Sequence, residues 1–157
     1  CALPICKMGE FVQSKETSCY IESITQTDNL LEQLYNQLRQ SGESFSMVYF
    51  SDHGLTFRER GTRVQYLAHD DKFQQNFQVP FMVLSSDDKT HKMIKARRSA
   101  NDFLGFFSQW TGIKAKEINI KYPFISEKKA GPIYITNFQL QKVDYNHLGT
   151  DIFDPKP

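Results

Sequence analysis

Apolar side chains in residues 28–40 fall at Leu30, Leu31, Leu34, Tyr35 and Leu38. That i, i+1, i+4, i+5, i+8 spacing predicts an amphipathic helix. Thr27 or Asp28 can cap its start, and Ser41-Gly42 supplies the stop, because glycine accepts the left-handed conformation that ends helices. Residues 1–22 are polar and irregular in pattern. Residues 45–50 are rich in β-formers, and the continuous run Met47-Val48-Tyr49-Phe50 predicts a strand buried on both faces. A helix followed by such a strand points to a parallel α/β layer. The polar, Arg-rich stretch 56–65 reads as a long loop. Residues 79–84 predict a second short buried strand, with Pro80 near its start, where the lost donor costs least. Met93, Ile94, Ala96, Arg97, Ala100, Phe103, Leu104 and Phe107 mark a second amphipathic helix, from Lys89 or Thr90 through Trp110, closed by Thr111-Gly112. After the breaker Gly131-Pro132, residues 133–138 and 139–145 predict a small C-terminal strand pair. The fold class is therefore α/β, a mixed sheet flanked by helices.

The length of 157 residues suits one domain, 1–157. With 39% hydrophobic and 24% charged residues the chain is neither disordered nor collagen-like. Its longest apolar runs are far short of the roughly 20 residues that a membrane helix needs. The net charge of +1 excludes a strongly basic nucleic-acid binder. The charge is nevertheless uneven: residues 1–88 carry −5 and residues 89–157 carry +6. The basic half is either a set of solvated faces or a surface drawn to anionic lipid phosphates. Cys1, Cys6 and Cys19 lack the CxxC spacing of metal ribbons. A Cys6–Cys19 disulfide would staple a short polar loop in the manner of extracytoplasmic proteins; three reduced cysteines in a cytosolic chain is the alternative. The start at Cys1, without a basic segment leading into an apolar one, reads as a cut.

In open α/β sheets, reactive groups gather just beyond the carboxyl ends of strands. Asp52 and His53 occupy that place, in Ser51-Asp52-His53-Gly54. A carboxylate beside an imidazole suits a divalent metal such as zinc, and Gly54 would give the backbone freedom to turn both toward one point. Zinc needs further ligands, and the best additional histidine is His69, in Tyr66-Leu67-Ala68-His69-Asp70. The bland alternative is that Asp52 caps a turn and His53 bonds within its loop. His91 and His147 read as surface and structural residues. No glycine-rich phosphate loop, HExxH or GxSxG pattern is present.

The run Met47 to Gly54, then Tyr66-Leu67-Ala68-His69, then Gln78-Val79-Pro80-Phe81-Met82-Val83-Leu84-Ser85, resembles the C-terminal half of the lipid A and lipopolysaccharide-core phosphoethanolamine transferases, members of the sulfatase and alkaline-phosphatase superfamily. Cys19 followed by Thr27-Asp28-Asn29-Leu30-Leu31, and the stretch from Asp102-Phe103-Leu104 to Trp110-Thr111-Gly112-Ile113, are similar to flanking segments of the same enzymes. The likeness covers about residues 6–115. Two departures stand out. Leu55-Thr56-Phe57-Arg58-Glu59 replaces the usual Glu-Ser-Leu-Gly-Glu, and Ala68 is inserted in the family's Tyr-Leu-His-Gly.

The resemblance implies part of a sulfatase-like mixed sheet, zinc as cofactor, Asp52 and His53 as metal ligands, and His69 as the histidine beside the transferred phosphoryl group or a second zinc. It implies a covalent step on a threonine, for which no matching segment occurs among the threonines here, so no catalytic nucleophile is assigned. The chain is then expected to be the C-terminal half of such a catalytic domain. Alone it would be inactive. The whole enzyme would be anchored through a membrane part and face the periplasm. It would move phosphoethanolamine from a phospholipid to lipopolysaccharide or another envelope glycan, without nucleic acid. A sulfatase or phosphonate hydrolase of the same superfamily, or a truncated non-catalytic α/β module, are the other readings.

Overall fold

The computed structural model describes residues 15–58 and 66–150. They form two units, the first running to Lys89 and including Thr150, the second spanning Thr90–Gly149.

The first unit opens with α1 (Lys15–Gln40), 26 residues without glycine or proline. It begins well before the expected cap at Thr27 or Asp28. The Thr27 hydroxyl donates instead to the Ser23 carbonyl (2.9 Å), and Thr25 bonds back to Ile21 in the same way (3.2 Å), so these hydroxyls are absorbed inside the helix. Residues 15–22 are thus helical where irregular chain was expected. The apolar stripe is narrower than its sequence. Leu31, Tyr35 and Leu38 are half-buried, whereas Leu30 and Leu34 remain exposed. Tyr35 meets Phe45 edge-on at 5.6 Å. The helix stops where expected, with Gly42 at φ 74°. Cys19, on α1, is disulfide-bonded; Cys6 and Cys1 lie outside the described residues.

β1 (Ser46–Phe50) pairs antiparallel with β4 (Phe81–Ser85), from Ser46↔Ser85 to Phe50↔Phe81, where the two rings stack at 5.9 Å. The expected parallel layer is therefore not what these strands make. A parallel return needs a crossover of a dozen or more residues, usually a helix. The chain between β1 and β4 contains a strand pair and a short 3₁₀ turn instead. Nor is β1 buried on both faces, since Met47, Val48 and Tyr49 are half-buried and Phe50 is exposed. Pro80 sits just before β4, outside the ladder. Part of the expected loop is also strand: β2 (Thr56–Arg58) pairs with β3 (Tyr66–Ala68) in the register Thr56↔Ala68, Phe57↔Leu67, Arg58↔Tyr66. Residues 59–65 lie outside the description. A 3₁₀ turn, Gln74–Phe77, precedes β4.

In the second unit the predicted long helix shrinks to a 3₁₀ turn, Ala100–Asp102, and α2 (Phe103–Thr111). Tertiary contacts override the periodic pattern upstream. The Arg98 guanidinium donates to the carbonyls of Phe124 (2.6 Å) and Ser126 (2.6 Å) and lies over the Tyr122 and Phe124 rings, while Arg97 lies over Tyr145. Ser99 then caps the turn, accepting from the Asn101 amide and donating to the Tyr134 carbonyl. The helix ends as predicted at Gly112, φ 74°. Its inner face sets Phe106, 1% exposed, against Trp110 and Phe124 in a core shared with Tyr122, Ile135 and Tyr145. The C-terminal pair is present as β5 (Tyr134–Thr136) and β6 (Lys142–Asp144), antiparallel. The whole is a mixed α/β arrangement of helices and small antiparallel sheets.

Candidate functional site

Four residues after β1, Ser51 to Gly54, carry the first two predicted groups. The Ser51 hydroxyl donates to the His53 carbonyl (2.9 Å), and the His53 amide donates to Asp52 Oδ1 (3.0 Å), which locks the turn. His53 Nδ1 lies 2.8 Å from the Gly54 carbonyl. A carbonyl only accepts, so Nδ1 bears the proton and, in the neutral ring, Nε2 keeps its lone pair. Nε2 lies 3.9 Å from Asp52 Oδ2, and the Asp52 side chain is 88% exposed. A carboxylate oxygen and an imidazole nitrogen with the proton on its far side are a donor pair that fits zinc.

Gly54 is buried for a different reason from the one its sequence suggests. A Cβ there would lie 2.2 Å from the Gln75 carbonyl oxygen. The Gly54 amide donates to the Asn76 carbonyl at 2.7 Å, so the chain passes hard against the 3₁₀ turn. Close approach, rather than conformational freedom, requires glycine here.

His69 follows β3 directly. The β2–β3 register, supported by the buried Thr56 hydroxyl donating to the Ala68 carbonyl (3.3 Å), carries it back toward the Asp52-His53 turn. The His53 and His69 rings stack, centroids 3.9 Å apart and planes 13° from parallel. The structure therefore unites all three predicted residues, across 16 residues of sequence. The ring planes also bear on whether the two histidines can meet at one ion. A ring nitrogen binds a metal in the plane of its own ring, and two nearly parallel planes do not meet at one ion close by. His53 and His69 in this arrangement do not share a metal. Accordingly, no group of three or more His, Cys, Asp or Glu able to hold a metal occurs among the described residues.

Three supporting residues were not singled out by the sequence. Asp70, 5% exposed, accepts from the Lys72 amide (3.0 Å) and pairs with Arg58. That hydrogen bond raises the Arg58 pKa above its ordinary value. Asn76, fully buried in the 3₁₀ turn, accepts the Asp70 amide on Oδ1 (2.9 Å). In the sequence Asn76 belongs to the polar run Gln74-Gln75-Asn76-Phe77-Gln78, which carries no signal of burial.

Comparison with known proteins places the chain in a family. The family model described as Sulfatase matches residues 4–113. Phosphoethanolamine transferase OpgE of Escherichia coli (strain K12) is 85% identical over 151 residues, which are 96% of this chain and 29% of that protein. A provisionally named phosphoethanolamine transferase of Haemophilus influenzae is 44% identical over 46 residues, 27% of this chain and 10% of that protein. Escherichia coli (strain K12) YhbX is 28% identical over 111 residues, 67% of this chain and 20% of that protein. No solved structure matches. The chain thus spans less than a third of the length of these relatives. With more than two thirds of its residues matched by the family model, the chain belongs to the sulfatase family.

Proposed function

We propose that this chain supplies the metal-side turn and the substrate-side histidine of a phosphoethanolamine transferase, which moves phosphoethanolamine from a phospholipid to lipopolysaccharide or another envelope glycan at the periplasmic face of the inner membrane. The observation that carries the reading is the stacking of His53 on His69, which sets the Asp52–His53 turn beside a second imidazole. The high identity to OpgE supports transfer over the sulfate-ester hydrolysis that the family description names.

Asp52 and His53 Nε2 would hold zinc, with the remaining ligands from outside the described residues. Zinc bound there would neutralise charge on phosphoryl oxygens and acidify a hydroxyl nucleophile. The chain's own contribution is positional. The Gly54 carbonyl keeps the proton on His53 Nδ1, so that Nε2 is presented bare. His69, stacked behind it, faces the transferred group with a ring nitrogen able to donate to a phosphoryl oxygen. The threonine nucleophile is assigned to another part of the protein, so the chain alone is without transfer activity. The net +6 of residues 89–157 suits work beside anionic lipid, though the reading does not depend on it.

The test has two arms. Zinc titration of residues 1–157, followed by calorimetry, should show binding that Asp52→Ala or His53→Ala weakens roughly tenfold or more; unchanged binding removes the metal assignment. A full-length protein carrying this sequence, given a phosphoethanolamine phospholipid and a glycan acceptor, should label the glycan. Release of free phosphoethanolamine to water with the acceptor unlabelled would favour the hydrolase reading instead.

A further inference from the structure

Asn76 holds the residue that follows each of the two stacked histidines. Its main-chain carbonyl accepts the amide of Gly54, next after His53 (2.7 Å), and its side-chain Oδ1 accepts the amide of Asp70, next after His69 (2.9 Å). One fully buried residue therefore grips both loops, one by backbone and one by side chain. The two bonds set where each loop stands, and with it the separation of the rings. Gly54 is pressed against the neighbouring Gln75 carbonyl, and the Asp70 carboxylate is tied to Lys72 N and to Arg58. Asn76 Nδ2 has no hydrogen-bond partner among the described residues. Burying an amide nitrogen unpaired costs roughly 1–3 kcal/mol. Folding stability alone does not account for an asparagine at such a place; an asparagine whose side-chain carbonyl holds the Asp70 loop, while its main-chain carbonyl holds Gly54, does.

We infer that Asn76 is a positioning residue, whose side-chain carbonyl fixes His69 against His53 and so sets the spacing between the metal-side and substrate-side groups. The inference rests on the site reading above for its purpose but not for its geometry. Its two bonds differ in what a substitution can remove, because truncating the side chain leaves the main-chain carbonyl in place. Asn76→Ala keeps the anchor of Gly54 and deletes that of Asp70. His53 should stay and His69 should move.

The experiment is ¹⁵N and ¹H NMR of the histidine rings in residues 1–157 without added metal, with the methyl and aromatic signals of β1 and β4 reporting the fold. In the parent chain the His53–His69 cross-ring NOE should be present, with the proton of His53 on Nδ1. Asn76→Ala should lose the cross-ring NOE while His53 keeps its tautomer and β1–β4 their signals. Asn76→Asp, which restores an acceptor oxygen, should recover the NOE. A folded Asn76→Ala chain with the contact intact overturns the inference, as does loss of the His53 tautomer together with the contact, which would mark a general structural role. Should Asn76→Ala lose the β1–β4 signals, Asn76→Asp decides. A folded chain with the contact supports the inference; an unfolded chain, or a folded one without the contact, overturns it. Zinc added to the parent chain tests the metal assignment separately, by whether His53 Nε2 shifts. That assignment can fail with the Asn76 result untouched.

Discussion

At Gly54 a single methyl group is expected to be costly. The Cβ of Gly54→Ala would meet a backbone oxygen at 2.2 Å, and neither the turn nor the 3₁₀ segment has a flexible side chain to yield there. Urea unfolding should show a loss of about 1–3 kcal/mol or more, with the His53–His69 contact weakened in what remains folded. Tyr122 offers a test of opposite kind. Its hydroxyl donates to Asp102 Oδ2 at 2.5 Å, and burial together with that bond pushes its pKa up to about 12. An unfolded tyrosine titrates near 10. Unfolding between those values releases a proton, so the stability this group contributes is intact below about pH 10 and is lost as pH rises toward about 12. The slope is at most about 1.4 kcal/mol per pH unit. Denaturation of Tyr122→Phe should lack that extra alkaline fall, and parallel pH profiles for the two chains would count against it. Among single residues, the place of Asp52 and His53 after an apolar run, and His69 as the best additional histidine, could be read in advance, and the structure brings the three together. Asn76 could not, because its importance lies in two contacts with residues 6 and 22 positions away.

Elements were legible where neighbours in sequence determine them. α1 stops at Gly42 and α2 at Gly112, both with positive φ, as their sequences indicate. The start of α1 is not legible, because Thr27 and Asp28 resemble a cap, and hydroxyls bonded back along a helix give the same letters. Residues 90–99 are not helical despite their spacing because Arg97 and Arg98 are held by rings and carbonyls 24 to 48 positions downstream. The β5–β6 hairpin was visible from its breaker, but its turn contains a surprise. Leu140 adopts φ 60° and is 85% exposed, within a turn whose other bonds run to Asn137: its carbonyl accepts from Leu140 N (2.9 Å), and its Oδ1 from Gln139 N and Gln141 N. A branched residue in the left-handed region is strained by about 1–2 kcal/mol, and asparagine tolerates it. Leu140→Asn should therefore stabilise the second unit by about 1 kcal/mol, read as a higher urea midpoint. An unchanged midpoint would mean that the turn carries no such strain.

Across the molecule, the sign of charge changes where the units change. The sequence turns from acidic to basic at Lys89, and the second unit begins at Thr90. No helix among the described residues is long and apolar enough to cross a membrane. The β1–β4 ribbon has a consequence for anyone who handles the chain. Among the described residues each of its strands pairs with a single strand, so the outer rims at Met47-Val48-Tyr49 and at Met82-Val83-Leu84 carry no third strand beside their apolar side chains. Such rims are templates for another strand, and nothing in either run, neither proline nor charge, discourages a newcomer. Purified at high concentration, the chain should associate edge to edge and slowly drop out of solution, long before its helices melt.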